Sequence, residues 1–475
     1  MGHGGAGIFA AIGSGKTAVV LRALLALKDA GLFRRALVVA PPRVMRQVWP
    51  REAAEWAGTE WERVKELRVV MLHGEDKDAL AMQDADIYVI NAEGLKWLFE
   101  DGKFKRFRCM VIDTFIVDES TLFKNRNTKR FKMVSKVLPS FQRRWIMTGT
   151  PNPNGYMNLF PQIYLIDLGL ALGKYVTRFR QEYFVPINDW EWRLQAGADK
   201  RIQEKIAPYI FQLDAGDYRE IPVEPNVVRV DLPPAARKLY NKMEEEMLVE
   251  LNNQRFVVAA NSGAAHMKCA QIANGGLYHM VGPGGIDFTN LSLGQSSANT
   301  FKTLKRTWEN LHEAKTDAVE ELVEELNGSP ALVVYDFLHD LDRLRKRFPR
   351  APFIGGGVSL KESERLCDAW NRDEFPVMLV QATSVSRGLN LQRGSAQDVI
   401  WHSLTFDLEV FQQLNGRLAR QGSKHDRIFS HLIVVNGTTD EARLRALRSK
   451  DKTQQAFLAA LREYAKNRQK GRKTA

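Results

Sequence analysis

The chain has 475 residues, enough for two or three domains with a sizeable core, and its 44% hydrophobic and 26% charged content is that of a globular protein, which excludes wholesale disorder and fibrous repeats. No run approaches the roughly 18 to 20 apolar residues of a membrane span, no basic segment followed by an apolar core marks a secretory signal, and three scattered cysteines (Cys109, Cys269, Cys367) suit neither a disulfide framework nor a zinc site, so a reducing cytoplasm is the expected compartment. The net charge of +12 admits a polyanionic partner such as nucleic acid.

From the N-terminus, a short apolar run, "GIFAAI", leads through "GSGKT" into a helical pattern, "TAVVLRALLALKDAG". Strand, glycine-rich turn and helix in that order are the setting of a phosphate-binding loop. Gly13 and Gly15 let the backbone fold around phosphate oxygens, and the amides from Ser14 onward, with the helix N-terminus, supply positive potential. Lys16 is placed to reach the β- and γ-phosphates of ATP, and the Thr17 hydroxyl to bind Mg²⁺. Ala10 stands where the general pattern has glycine. The bland alternative is a Gly/Ser turn before an ordinary helix.

Next come "RALVVAP", "LRVVMLHG", "DIYVINAEGL", "FIVDES" and "RWIMTGTP", apolar runs alternating with helical periodicity. That alternation predicts a parallel, doubly wound α/β sheet. In "FIVDES" the apolar run ends in Asp118 and Glu119, suited to holding Mg²⁺ and to activating an attacking water respectively. The Thr148–Pro151 turn ends another strand, where open α/β sheets bind ligands.

Residues from about 155 to 300 are predicted to be mostly helical, with "MVGPGGIDFTNLSLGQSSANT" as an irregular loop. A boundary is expected near residue 225, in "REIPVEPNVVRVDLPP", where prolines interrupt the pattern. This gives an N-terminal lobe of 1–225 and a second unit of 226–475. A second α/β block follows in "PALVVYDFL", "PFIGG", "PVMLVQA", "DVIWHS" and "RIFSHLIVV". Within it, "QQLNGRLARQGS" sets Arg417 and Arg420 three residues apart, on one face if helical. The segment from Glu441 to Ala475 carries eleven Lys or Arg against three acids, a basic end that suits a polyanion or a solvated helix alike.

The order of these segments resembles the superfamily 2 helicase-like ATPases of the Swi/Snf type, most of all the compact versions found in tailed phages. Motif I is matched by "AAIGSGKT", Ia by "LVVAPPRVMRQVWPREAAEW", II by "VDEST" with "LFKN", III by "MTGTPNPN", IV by "VVYDF", V by "SRGLNLQ" and VI by "QQLNGRLARQG". "YVINAEGL", "GGGVSLKESER" and "KCAQIANGGLY" match further elements, so the resemblance covers nearly the whole chain. It implies two tandem RecA-like lobes with helical insertions between them, ATP and Mg²⁺ between the lobes, and translocation on double-stranded DNA in the host cytoplasm. It makes Arg417 and Arg420 arginine fingers, adds Gln413 beside them and Gly388 at the nucleotide, and places Arg43, Arg46, Lys124, Asn154 and Arg387 at the DNA backbone.

The sequence departs from the family in three places. Thr121 replaces the histidine of D-E-A-H, and Ser386-Arg387-Gly388 replaces a more glycine-rich turn, both at positions that couple motifs. Only "MGHGGAG" precedes the first strand, where the family carries a longer segment with an adenine-reading glutamine, so either the sequence is truncated or base recognition is lax. The competing readings are an RNA or single-strand DNA helicase, against which "GTP-x-x-N" and Q-x-x-G-R-x-x-R speak, and a catalytically weak nucleic-acid-binding accessory factor. No nuclease-type acidic cluster or kinase-type catalytic loop accompanies these motifs.

Overall fold

A computed structural model describes residues 4–10, 13–50, 52, 62–99, 112–151, 155–187, 192–212, 221–253, 267–281, 305–385 and 388–453. The first sheet contains β1 (Gly5–Phe9), β2 (Ala36–Val39), β3 (Val69–Met71), β4 (Ile87–Ile90), β5 (Thr114–Asp118) and β6 (Arg143–Thr148). A hairpin of β7 (Phe184–Pro186) and β8 (Trp192–Leu194) follows, then β9 (Ile210–Phe211) closes the sheet. The order is β3-β4-β2-β5-β6-β1-β9, and every neighbouring pair is parallel. Strands β2, β4 and β5 are buried at every residue, which is why β2, β4 and the centre of β5 (residues 115–117) read as apolar runs rather than alternations. Alternate residues serve two cores. Leu37, Val39, Phe115 and Val117 face one, and Val38, Val89, Ile116 and Met147 face the other, with Leu21 and Leu24 of helix Lys16–Asp29.

The second sheet holds β10 (Val223–Val230), β13 (Ala331–Tyr335), β14 (Phe353–Ile354), β15 (Val377–Gln381), β16 (Asp398–Trp401) and β17 (Ile428–Val435), while β11 (Gly276–Val281) and β12 (Lys305–Asn310) pair separately. Its order is β10-β17-β16-β13-β15-β14, again all parallel. The proline-bearing stretch around Pro225 is therefore a strand. It lies at a sheet edge, where a missing N–H costs no ladder bond. The predicted helical middle contains helices Leu159–Asp167, Val176–Tyr183, Ala198–Ile206 and Pro234–Asn253, but also the three-residue strands β7 and β8, too short to show a period, and β11, which pairs antiparallel with β12. Most of the predicted glycine-rich loop lies outside the described residues. Among the described residues no helix is long and apolar enough to cross a membrane.

A buried polar network ties the middle segment to the second sheet. Asn274 Nδ2 donates to Asp340 (3.0 Å) and to Ser403 (2.8 Å), Arg343 pairs with Asp340 (3.0 Å), and Lys315 pairs with Asp440 (2.6 Å), all essentially without solvent. Buried charges persist only when paired in this way. Burial pushes the His402 imidazole down to about 3, against the pull of Asp340. Burial alone would raise Asp340, but His402, His339 and Arg343 outweigh it and hold its carboxyl well below the usual range. Both groups bind protons more readily when unfolded, so their stabilisation is present at neutral pH and lost on acidification. The His402 part is expected to fade from 6.5 down to about 3, with the Asp340 part following below 3.8. The thermal midpoint should fall continuously from pH 7 to pH 4, and His402→Gln should flatten the part of that fall nearer neutrality in a melt series.

Candidate functional site

The carboxyl ends of β1, β5 and β6 are level, since Phe9 pairs with Thr148 and Asp118 with Met147, so the three following loops meet at one edge. After β1 the chain turns through Gly13 (φ 78°) and Gly15 (φ 77°) before the helix begins at Lys16. Gly15 has open space around it and needs glycine for its left-handed backbone alone. At Gly13 a Cβ would lie 2.4 Å from Cβ of Arg420, so only glycine lets the second lobe approach. Ser14 Oγ is buried without a hydrogen-bond partner among the described residues.

Lys16 Nζ donates to the Ala10 carbonyl (3.0 Å). Burial pushes its ammonium down to about 8, opposed by Glu119 and Asp118 and reinforced by Arg420 and Arg417. Asp118 is buried, and its Oδ2 accepts the Trp49 indole N–H (2.9 Å). Burial raises its pKa, with Trp49 and Lys16 opposing. Glu119 sits at φ 67°, a region that non-glycine residues rarely occupy. Strain of this kind persists where the surroundings over-determine it. Here Glu119 Oε1 accepts hydroxyls from Thr148 (2.8 Å) and Thr121 (2.9 Å).

From the second lobe, helix Leu408–Asn415 is capped by Asp407, whose Oδ1 accepts the Glu409 N–H (2.9 Å). The helix ends before both arginines. Arg417 and Arg420 lie in the following tight turns, not on a helical face, because Asn415 is drawn inward by Trp401 and Ser430 (3.2 Å each) and Gly416, a weak helix former, follows it. Arg417 Nη1 donates to the Leu389 carbonyl (3.0 Å) and Arg420 Nη1 to Asn390 (2.7 Å), so the segment after Gly388 (φ 78°) aims both guanidinium groups.

Side chains and backbone from both lobes border one cavity of about 120 Å³. Lys16, Thr17, Asp118 and Glu119 come from the first lobe, and Gly388, Gln413, Arg417 and Arg420 from the second. Gly13 and Arg420 also border a larger, mostly apolar cavity of about 420 Å³. Three cationic side chains thus converge on one small space, an arrangement that favours a polyanion. Among the described residues no group of three or more His, Cys, Asp or Glu could cage a metal.

Sequence reasoning missed Glu409. Fully buried, it takes Thr121 Oγ1 (2.7 Å), Lys124 Nζ (3.1 Å) and Gln413 Nε2 (3.3 Å), joining the lobes beside Glu119. Its position one helical turn before Gln413 was the available signal. Trp49, which orients Asp118, had none. Of the residues expected at DNA, Lys124 lies at this lobe junction, also 3.8 Å from Asp407, and the Arg46 guanidinium contacts the His73 ring. Arg43 lies in helix Pro42–Gln47 with its side chain undescribed, and Asn154 and Arg387 lie outside the described residues.

The SNF2-related domain profile matches residues 3–274, more than half of the chain, and the helicase conserved C-terminal domain matches 314–422. Protein p41 of Acyrthosiphon pisum secondary endosymbiont phage 1 is 33% identical over 96% of this chain and 94% of its own length. The chain belongs to the SNF2-related family. Members of this family are in general ATP-using helicase-like proteins. Mouse ZRANB3, a DNA annealing helicase and endonuclease, is 22% identical over 85% of this SNF2-related chain, which spans only 35% of ZRANB3 and less than half of other longer curated relatives. The Sulfolobus solfataricus SWI2/SNF2 ATPase core in complex with dsDNA aligns over 92% of this chain and 85% of that one, at 20% identity and a TM-score of 0.39.

Proposed function

We propose that this chain hydrolyses ATP in the cleft between its lobes and uses the cycle to translocate on double-stranded DNA. The observation that carries the reading is the single cavity in which Lys16, Thr17, Asp118 and Glu119 face Gln413, Arg417 and Arg420. The turn from Gly13 to Gly15 cradles the phosphates, and Lys16 pairs with their charge. Glu119 orients the attacking water, and Arg417 and Arg420 offset charge that develops on the transferred phosphoryl group. The cavity beyond Gly13 offers room for the base and ribose.

The site suits Mg²⁺. Trp49 occupies one oxygen of Asp118, and the carboxylate and the Thr17 hydroxyl border the same cavity. This ion is commonly held by one or two carboxylates with phosphate oxygens and water, rather than by an all-protein cage. Asp118 and Thr17 would hold it, and when bound it would neutralise charge on the nucleotide's phosphates.

The DNA part of the reading rests on the net charge of +12, the basic C-terminal segment and the DNA-directed name of the relative ZRANB3. Arg43, Arg46, Lys124, Asn154 and Arg387 stay candidates for backbone contact. Binding of this kind is sequence-independent and falls steeply with salt.

The test is steady-state ATPase without nucleic acid and with duplex DNA, single-stranded DNA or RNA, at two salt concentrations. Duplex DNA is expected to stimulate turnover most, and less at the higher salt. Preference for single strands or RNA would replace the translocase reading with a strand-separating helicase, and no turnover under any condition would leave an accessory binding protein.

A further inference from the structure

Four side chains form a ring across the lobe junction: Glu119 and Thr121 from the first lobe, Glu409 and Gln413 from the second. Thr121 Oγ1 lies 2.9 Å from Glu119 and 2.7 Å from Glu409. Gln413 Nε2 lies 3.1 Å from Glu119 and 3.3 Å from Glu409. Thr121, Glu409 and Gln413 are all buried, so water does not compete for these bonds.

An amide nitrogen has two protons and can serve both carboxylates, but a threonine hydroxyl has one. Glu119 and Glu409 therefore compete for the Thr121 proton. The competition depends on the position of the lobes. Thr121 and Thr148 belong to the same lobe as Glu119 and stay with it, whereas Glu409 arrives only when the second lobe docks. Lys124, bonded to the other Glu409 oxygen at 3.1 Å, fixes where the carboxylate lands.

We propose that Glu409 is a positioning residue that arms Glu119 on lobe closure: it draws the Thr121 hydroxyl away from Glu119, so that Oε1, still held by Thr148, turns a lone pair toward the attacking water. With the lobes apart, Thr121 and Thr148 both hold Glu119 and keep it idle. Hydrolysis is thereby confined to the closed state by a hydrogen-bond exchange, in addition to the arrival of the arginines. Thr121 stands where the family carries a histidine, and its single proton makes the exchange all-or-none. The inference rests on the reading of Glu119 as the water-orienting residue.

The test is ATP turnover by the full chain with saturating duplex DNA. Glu409→Ala is expected to lower kcat about tenfold or more, as small misplacements of a reacting group do, with KM for ATP within about threefold. Adding Thr121→Val should restore most of the lost turnover, because Glu119 is then free of the hydroxyl permanently. Glu409→Gln, which keeps the shape, should fall between wild type and Glu409→Ala and be rescued by the same second change if the alanine variant fails to fold. A Glu409 that merely glues the lobes together predicts additive losses and no rescue, and that result overturns the inference, as does an unchanged kcat in Glu409→Ala. A wild-type chain without ATPase overturns the underlying site reading, and the inference with it.

Discussion

Arg417→Ala is expected to lower the ATP turnover number by about 10³-fold or more while leaving nucleotide affinity within a few-fold, in line with the 10³–10⁵ that arginine fingers supply elsewhere. The guanidinium borders the shared cavity from the second lobe, and its Nη1 is already aimed by the Leu389 carbonyl. A group prepositioned in this way adds most where charge develops and little to ground-state binding, so the loss should fall on kcat. Arg417→Lys keeps the charge but not the planar fork, and should recover only a small part of the rate. The alanine change also leaves the Leu389 carbonyl short of a donor, at a cost of about 1–3 kcal/mol, so turnover and nucleotide binding should be measured beside a thermal melt. Loss of binding in parallel with turnover would mean that Arg417 holds the second lobe together and does not act on the phosphates.

What was legible in the sequence was local. "GSGKT" announces itself as a turn into a helix because its glycines and lysine fall within one turn of chain, and Gly13 and Gly15 do take positive φ before the helix starts at Lys16. "FIVDES" does so because its apolar run ends in two adjacent acids, Asp118 closing the strand and Glu119 following it. The parallel sheets were legible for the same reason, since β2, β4 and the centre of β5 (residues 115–117) are apolar. What was illegible depends on segments meeting. The contacts of Glu409 with Thr121 and Lys124 span more than 280 residues of chain, so nothing near Glu409 marks it except its spacing from Gln413. Trp49 lies among mixed residues, between Arg46-Gln47 and Arg51-Glu52, and only the fold shows its N–H on Asp118. The end of helix Leu408–Asn415 escaped because Asn415 is held by Trp401 and Ser430, partners supplied by two strands of the second sheet. Pro225 misled for a related reason: whether a proline breaks a strand depends on whether that strand is an edge.

Lys16→Ala is expected to abolish turnover and also to raise the stability of the nucleotide-free chain. The two effects share one cause. With its ammonium pushed down to about 8 by burial, Lys16 is held in the folded state against its preference for water. One pKa unit corresponds to about 1.4 kcal/mol, so the penalty at neutral pH is on the order of 2–3 kcal/mol after allowance for partial solvent access. Because the folded pKa lies below the unfolded one, the penalty is complete below pH 8 and vanishes as pH rises toward 10.5, so the stabilisation by alanine should shrink over that window. Asp118 and Glu119 limit the gain, since both favour the ammonium and lose it in the variant. In the ATPase reading, the penalty is recovered when phosphate oxygens meet Lys16, so ATP should raise the melting temperature of the wild type and not of the variant. Urea melts of both proteins at pH 7 and pH 10, thermal melts with and without ATP and Mg²⁺, and an ATPase assay measure each part. A variant no more stable than wild type would mean that Lys16 is retained for the fold as well as for the nucleotide, and full turnover in it would remove the phosphate loop from the site. The opposing signs are what a residue kept for function at the expense of stability should give.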